Sequence, residues 1–292
     1  MRSAKPTVIH AHGISALPVG VILKWFTRVP LIYDAHELES ETNGLSPLRS
    51  KLARWTERVW IPRVDRTITV CDSIADWYEQ AYSIERPGVI RNVPMRSAAP
   101  LEKRTILRDL HDIPASQLIF LYQGALSPGR GVETLIDVFS AVDRDKHLVL
   151  MGYGLLEERA RSAALKHANI HFQEAVPPDR VLYHTASADI GLCLIENTCL
   201  SYFYSLPNKL FEYLLSGLPV LVNDMPEQRK IVEQFDCGWV VPPAATEQKA
   251  LIESINPAQV LAKKTGAKRA AGSFDWREEA ARLQEFYAEV LN

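Results

Sequence analysis

Residues 205–223, SLPNKLFEYLLSGLPVLVN, read as a loop, a short helix, a glycine stop and a buried strand. Pro207 stands where the helical pattern starts, a place where its missing N–H costs nothing. Leu210, Phe211, Leu214 and Leu215 recur at helical spacing and make one apolar face. Gly217 stops the helix and Pro219 keeps it from resuming. Leu218–Val222 is then apolar throughout, the pattern of a strand buried on both faces, as in a parallel sheet. Lys209 and Glu212 lie one turn apart on this helix, and spacing alone leaves two readings of them. One is a surface i,i+3 ion pair contributing roughly a few tenths of a kcal/mol. The other is a ligand site, in which the helix N-terminus with Asn208 and Lys209 meets a phosphate and Glu212 meets a sugar hydroxyl.

Outward from this stretch, strand-like and helix-like runs alternate almost throughout. Upstream come strands at 118–123, 147–151, 169–173 and 189–195, separated by helices at 132–142, 155–167 and 178–186. Downstream come a helix at 227–235 and a strand at 238–241. A helical tail runs from Thr246, and a final helix opens at Ser273. The first hundred residues repeat the rhythm with strands at 7–11, 30–34, 66–71 and 88–93. Their helices fall at 15–26, 47–64 and 73–82, with Ser73 placed to cap the last. Such alternation predicts parallel strands with crossover helices. Pro94–Glu102 breaks the rhythm and reads as a linker. The expected organisation is two Rossmann-like doubly wound parallel-sheet domains. Residues 1–94 form a first, incomplete domain and 95–103 a linker. Residues 104–272 form the second domain, and a helix over 273–292 packs back on the first.

Composition narrows the function classes. The chain has 292 residues, enough for two domains. A net charge of −2 argues against a nucleic-acid binder. Four cysteines, Cys71, Cys193, Cys199 and Cys237, are scattered without a CxxC pair. That pattern predicts a reducing, cytoplasmic setting and no metal centre. No uncharged apolar run approaches the ~18–20 residues of a spanning helix. The opening MRSAKP reads as no secretory signal.

Other motifs sit at predicted strand ends, where open α/β sheets bind ligands. Gly124-Ala-Leu-Ser-Pro-Gly-Arg130-Gly131 joins a strand to a helix; its three glycines admit an anion close to the backbone, and Arg130 offers a bidentate fork. Met151-Gly-Tyr-Gly154 lacks the third glycine of a dinucleotide fingerprint and reads as a tight turn. Asp189 reads as structural. His10 and His12 face the same way on one strand, but spacing supplies no third metal ligand. Pro47–Arg66 is basic, with Arg49, Lys51, Arg54, Arg58, Arg63 and Arg66 against Glu57 and Asp65. Its apolar residues Leu48, Leu52, Trp55 and Val59 fall on one stripe, with Trp60 off it. A basic helix carrying an exposed Trp suits either an anionic membrane surface or ordinary solvent.

The stretch SLPNKLFEYLLSGLPVLVND resembles the donor-site signature of the retaining, family 4 glycosyltransferases of the GT-B fold. The resemblance spans nearly all of residues 7–292. It implies transfer of a sugar from a nucleotide-diphosphate sugar to an acceptor hydroxyl, with retained configuration and neither metal nor cofactor. Polysaccharide or glycoconjugate synthesis is the implied setting. Glu212 matches the family's ribose-binding carboxylate. The second Glu of the usual pattern is Tyr204 here, at the position that contacts the transferred sugar. Arg130 matches one of a basic pair on the diphosphate, while its mate is Ala125; Lys209 is the substitute on hand. Backbone at Ala175 and Val176 matches the base contact. Gly124, Arg130, Asn208, Lys209, Glu212, Tyr204 and Val176 thus make the implied donor set. His36 of Tyr33-Asp-Ala-His-Glu37 matches a functional histidine facing acceptor and transferred sugar, which makes it the catalytic candidate. His12, Glu37 and Glu39 are candidates on the acceptor side.

The implied partners are a nucleotide sugar and a glycan or lipid-linked acceptor, with docking at the inner face of an anionic membrane. The family's first strand and Gly-rich loop have no counterpart ahead of Thr7. At ~30 residues per βαβ unit, a full first domain is expected to need roughly 60–90 further residues, or a partner chain that completes it. Two other readings fit the same residues. One is a non-catalytic nucleotide-sugar-binding subunit; the other is a nucleotide-sugar epimerase of similar two-domain build.

Overall fold

The structure, a computed structural model, describes residues 6–95 and 104–291. Of the linker expected at 95–103, only Met95 lies among the described residues. In chain order the elements are β1 (Ile9–His12), α1 (Leu17–Thr27), β2 (Leu31–Ala35), α2 (Pro47–Trp60), β3 (Arg66–Thr69), α3 (Asp72–Tyr82) and β4 (Gly88–Val89). Then follow α4 (Ile106–His111), β5 (Leu118–Ala125), α5 (Val132–Phe139), β6 (Lys146–Tyr153), α6 (Glu157–Lys166), β7 (Ile170–Glu174), α7 (Pro178–Thr185) and β8 (Ile190–Cys193). The remainder is α8 (Leu200–Phe203), α9 (Asn208–Leu215), β9 (Val220–Asn223), α10 (Pro226–Phe235), β10 (Gly238–Val241), α11 (Ala245–Ser254), α12 (Pro257–Gly272) and α13 (Trp276–Leu291). The chain divides into two compact units, one of residues 1–93, 198–206 and 276–292 and one of residues 94–197 and 207–275.

In the second unit six parallel strands run β10-β9-β8-β5-β6-β7. The chain moves outward from β5 to β7, then crosses to β8, which puts the topological switch between β5 and β8. Both faces of the sheet are covered, so Leu118–Gln123 is buried residue after residue. Phe120, Leu135, Phe139, Leu148, Ile190 and Ile252 belong to its core. Arg108 and Asp189, both buried, pair at 2.5 Å, and Asp189 also accepts the Ile119 N–H at 3.0 Å. The expected tail helix is broken into α11 and α12 at Asn256, whose side chain caps α12 in a reciprocal box with Gln259.

The first unit holds four parallel strands in the order β1-β2-β3-β4. Two expectations shift here. Cys71, not Ser73, is the N-cap of α3. Helix α2 ends at Trp60, followed by a 3₁₀ turn at Ile61–Arg63 around Pro62.

Most of the apolar stripe of α2 lies in solvent, with Val59 half-buried. Leu48, Leu52 and Trp55 are 77%, 60% and 58% exposed, whereas Glu57 is fully buried. Tyr78 and Tyr82 hydroxyls donate to Glu57 at 2.9 and 2.6 Å, which answers the desolvation of its carboxylate. Trp60 is half-buried against Trp25, so Trp55 is the exposed indole.

Candidate functional site

The second unit's site begins where β5 and β8 part. Their pairing is registered at Phe120–Ile190 and Leu121–Gly191. Beyond it, the Tyr213 hydroxyl accepts the Gln123 N–H at 3.0 Å and donates to the Leu192 carbonyl at 3.2 Å. Tyr213 rises from α9 into this gap because Gly191 makes room: a Cβ there would lie 2.1 Å from the tyrosine ring. The same helix then delivers its neighbours. Its apolar face, Leu210, Phe211 and Leu214, is buried. Gly217, at φ +73°, closes the C-terminus with N–H bonds from Gly217 to Leu214 and from Leu218 to Tyr213.

Lys209 and Glu212 do not form the surface pair that spacing allows. Lys209 is buried, its ammonium 3.8 Å from the centre of the Tyr122 ring. Burial lowers its pKa to about 8; Cys193 opposes the shift, Arg130 adds to it and Glu212 opposes it, in falling order. Glu212 accepts from the Gln123 amide at 2.5 Å, and Thr185 Oγ1 lies 2.7 Å from the other end of that amide. Burial raises the Glu212 pKa, opposed by the Gln123 bond and by Lys209. The result is a buried cation and a half-buried carboxylate held at one strand end, short of mutual contact.

The glycine loop closes over the same end. Gly124, Gly129 and Gly131 take φ of +114°, +78° and +81°, the left-handed region that favours glycine. At Gly131 a Cβ would meet the Leu194 carbonyl at 2.0 Å, and Glu196 N–H bonds the Gly129 carbonyl at 3.0 Å. The loop is thereby fastened to the chain leaving β8, with Arg130 half-buried within it. Gly152 pairs with Gly124 and sits so close that a Cβ would meet the Gly124 carbonyl at 1.9 Å. Asn208 is exposed at the start of α9, and Val176 is half-buried between β7 and α7. Gln123, Tyr122 and Tyr213 were not singled out from sequence. Their signal is a polar residue ending the apolar run LIFLYQ, and a tyrosine beside Glu212.

Tyr204 belongs to residues 198–206, which cluster with the first unit. Its carbonyl accepts from the Cys71 thiol at 3.2 Å and its ring is half-buried beside Phe203.

In the first unit, β1 and β2 bring His10, His12 and His36 around Asp34. Asp34 Oδ2 is 3.3 Å from His10 Nε2 and 3.2 Å from His12 Nδ1, while Oδ1 is 3.5 Å from His36 Nδ1. His12 Nδ1 and His36 Nε2 lie 3.3 Å apart with stacked rings. Burial lowers the His12 pKa, as do His10 and His36, against the pull of Asp34. His36 and Glu37 are exposed, and Glu37 accepts from Ser201 of α8 at 3.1 Å. Glu39 is half-buried, and its two oxygens share the Ile14 N–H at 2.9 and 3.0 Å.

Residues 103–268 match the model of glycosyl transferases group 1, and residues 1–94 match that of a glycosyl transferase 4-like domain. Phosphatidyl-myo-inositol mannosyltransferase of Mycobacterium leprae (strain TN) is 24% identical, covering 97% of this chain and 73% of that protein. Two solved structures share the fold at 18% identity, each covering 97% of this chain. Anabaena HepE in complex with UDP and glucose has a TM-score of 0.74 over 78% of its chain. Sucrose-phosphate synthase from Thermosynechococcus elongatus has a TM-score of 0.78 over 73% of its chain.

Proposed function

Because the chain belongs to the group 1 glycosyl transferases, we propose that it moves a hexosyl group from a nucleotide-diphosphate sugar to an acceptor hydroxyl with retained configuration. The observation that carries this reading is the meeting of Lys209, Glu212 and the Arg130 loop at the β5–β8 switch point. That is where an open α/β sheet holds its ligand. Glu212 accepts from the ribose hydroxyls, with Gln123 setting its orientation. Lys209, Arg130 and the N–H groups at Asn208 stabilise the charge that gathers on the departing diphosphate. They take the part a divalent cation plays elsewhere, so no metal is required at the donor. Backbone at Val176 meets the base. His36, oriented by Asp34, lines the reaction centre, with His12 and Glu37 on the acceptor side.

The HepE structure that shares the fold was solved with UDP, which makes UDP the first nucleotide to test. The mycobacterial relative bears the name of a phosphatidylinositol mannosyltransferase, and that name supports a lipid-linked or glycan acceptor. No helix among the described residues is long and apolar enough to cross a membrane; the exposed face of α2 serves as a reversible contact with anionic lipid at the cytoplasmic face.

Calorimetry of the full chain with UDP and GDP, followed by a transfer assay with their glucose and mannose conjugates, tests the reading. One nucleotide is expected to bind wild type and to lose at least about tenfold, 1.4 kcal/mol, in Glu212→Ala. Equal binding by both proteins removes Glu212 from the site. Tyr204 and Ala125 stand where the family has an acid and a base, and they favour a second reading, a nucleotide-sugar-binding subunit that needs a partner chain. Binding without transfer, with transfer regained on adding a second protein, selects it.

A further inference from the structure

From the same cluster of the first unit, and independently of the donor site, we infer that His10, His12 and Asp34 form a binding site for a zinc-type divalent ion. His10 and His12 alternate on β1, so both rings leave the same face. The β1–β2 register sets Asp34 directly opposite His12 on the neighbouring strand. The third ligand that spacing on one strand does not supply is therefore delivered by sheet pairing. His10 Nε2, His12 Nδ1 and an Asp34 oxygen all lie within 4.8 Å of one another. Two of the three separations, 3.3 and 3.2 Å, end on one carboxylate oxygen. Ligands about 2.0–2.1 Å from a tetrahedral zinc stand about 3.3 Å apart from each other.

Two further observations point to a ligand. His10 Nε2 is buried and makes no hydrogen bond, although it faces Asp34. Buried nitrogens of this kind are as a rule satisfied, and an ion is one of the ordinary reasons for an exception. The other nitrogen of the same ring, Nδ1, is held by the Tyr287 hydroxyl of α13. A hydrogen bond on the far nitrogen is how proteins fix the tautomer of a metal-ligating histidine, leaving the near lone pair for the metal. The His10 and His12 rings stack at 4.2 Å and 14°, so their planes are nearly parallel. The His12 side chain, 59% exposed, has the freedom to tilt and converge. His36 Nε2, 3.3 Å from His12 Nδ1, stands within reach of a fourth position. Two imidazoles, one carboxylate and an available fourth donor suit zinc, with cobalt(II) as its spectroscopic substitute.

The test uses tag-free full chain, stripped with a chelator and titrated with Co²⁺ and then Zn²⁺. One Co²⁺ per chain is expected, with a visible d–d band of tetrahedral intensity that Zn²⁺ bleaches. His12→Ala and Asp34→Asn are each expected to weaken binding at least tenfold, and Tyr287→Phe to weaken it less. Circular dichroism checks that each variant is folded; His12, being exposed, is the safe one. No band in wild type, or binding unchanged in folded His12→Ala, overturns the inference. Nucleotide calorimetry on the same samples reads the donor site separately, so failure of one is told apart from failure of the other.

Discussion

Lys209 is the residue whose surroundings most constrain the chemistry. Burial lowers its pKa from 10.5 to about 8. Between those values the unfolded chain keeps a proton that the folded chain has released, so the Lys209 contribution to stability rises with pH across that window. A diphosphate against the ammonium restores the charge, so binding near and above pH 8 takes up a proton. UDP affinity is therefore expected to fall as pH rises past about 8. Calorimetry in buffers of differing ionisation enthalpy should report the uptake directly, and Lys209→Met should abolish both effects. An affinity that stays level from about pH 7 to about pH 9 separates Lys209 from the diphosphate. Glu37 and Glu39 lie in the same segment but differ in setting: Glu37 is exposed, while Glu39 is half-buried and its oxygens share the Ile14 N–H.

At the scale of elements, α2 does present an exposed indole, but it is Trp55 of the stripe and not Trp60. Residues 48, 52 and 55 share a stripe by spacing, but spacing does not say whether the stripe meets the sheet or the solvent. Glu57 decides it, because Tyr78 and Tyr82 of α3 offer the buried carboxylate two donors. Leu48, Leu52 and Trp55 are left outward beside Arg54 and Arg58. Helix α1 adds exposed Trp25 and Phe26 in the same unit. An aromatic and basic surface of this kind predicts co-sedimentation with vesicles containing anionic lipid at low salt. Binding should weaken as salt shortens the Debye length to about 3 Å at 1 M. It should also drop in Trp55→Ser combined with Arg58→Glu. Pelleting that ignores both the salt and the substitutions would leave α2 as an ordinary solvated helix.

At the scale of the whole chain, the last helix belongs with the first unit. In α13, Phe286 packs so closely on Gly88 that a Cβ there would lie 2.6 Å from its ring, and Glu279 accepts the Arg91 N–H at 3.0 Å. Glu279 is buried, and the Arg91 guanidinium pairs with it at 3.5 Å. Ending the chain after Asp275 is therefore expected to loosen the first unit and spare the second. Hydrogen exchange should quicken in β1 and β2 while β5 and β6 keep their protection. Equal acceleration in both sheets, or none in β1 and β2, would show that α13 does not support the first unit.

The sequence by itself determined the class of sheet and most of its members. Apolar runs such as Leu218–Val222, preceded by Gly217 and carrying Pro219 at their start, admit little but a buried parallel strand after a helix. The glycines of the 124–131 loop were legible for the same reason, since backbone conformation is a local property; for Glu212 spacing left a surface pair and a ligand site both open, and only the family resemblance chose between them. Tertiary structure alone decided what each side chain meets. Lys209 became a buried cation because Tyr122, 87 positions away in the chain, lies beneath it. Tyr213 became a bridge because Gly191 leaves room where β5 and β8 part. Asp34 joined His10 and His12 only through the register of two strands. Burial and desolvation are set by neighbours distant in sequence, and they alone turn a charged residue into either a ligand site or a solvated surface.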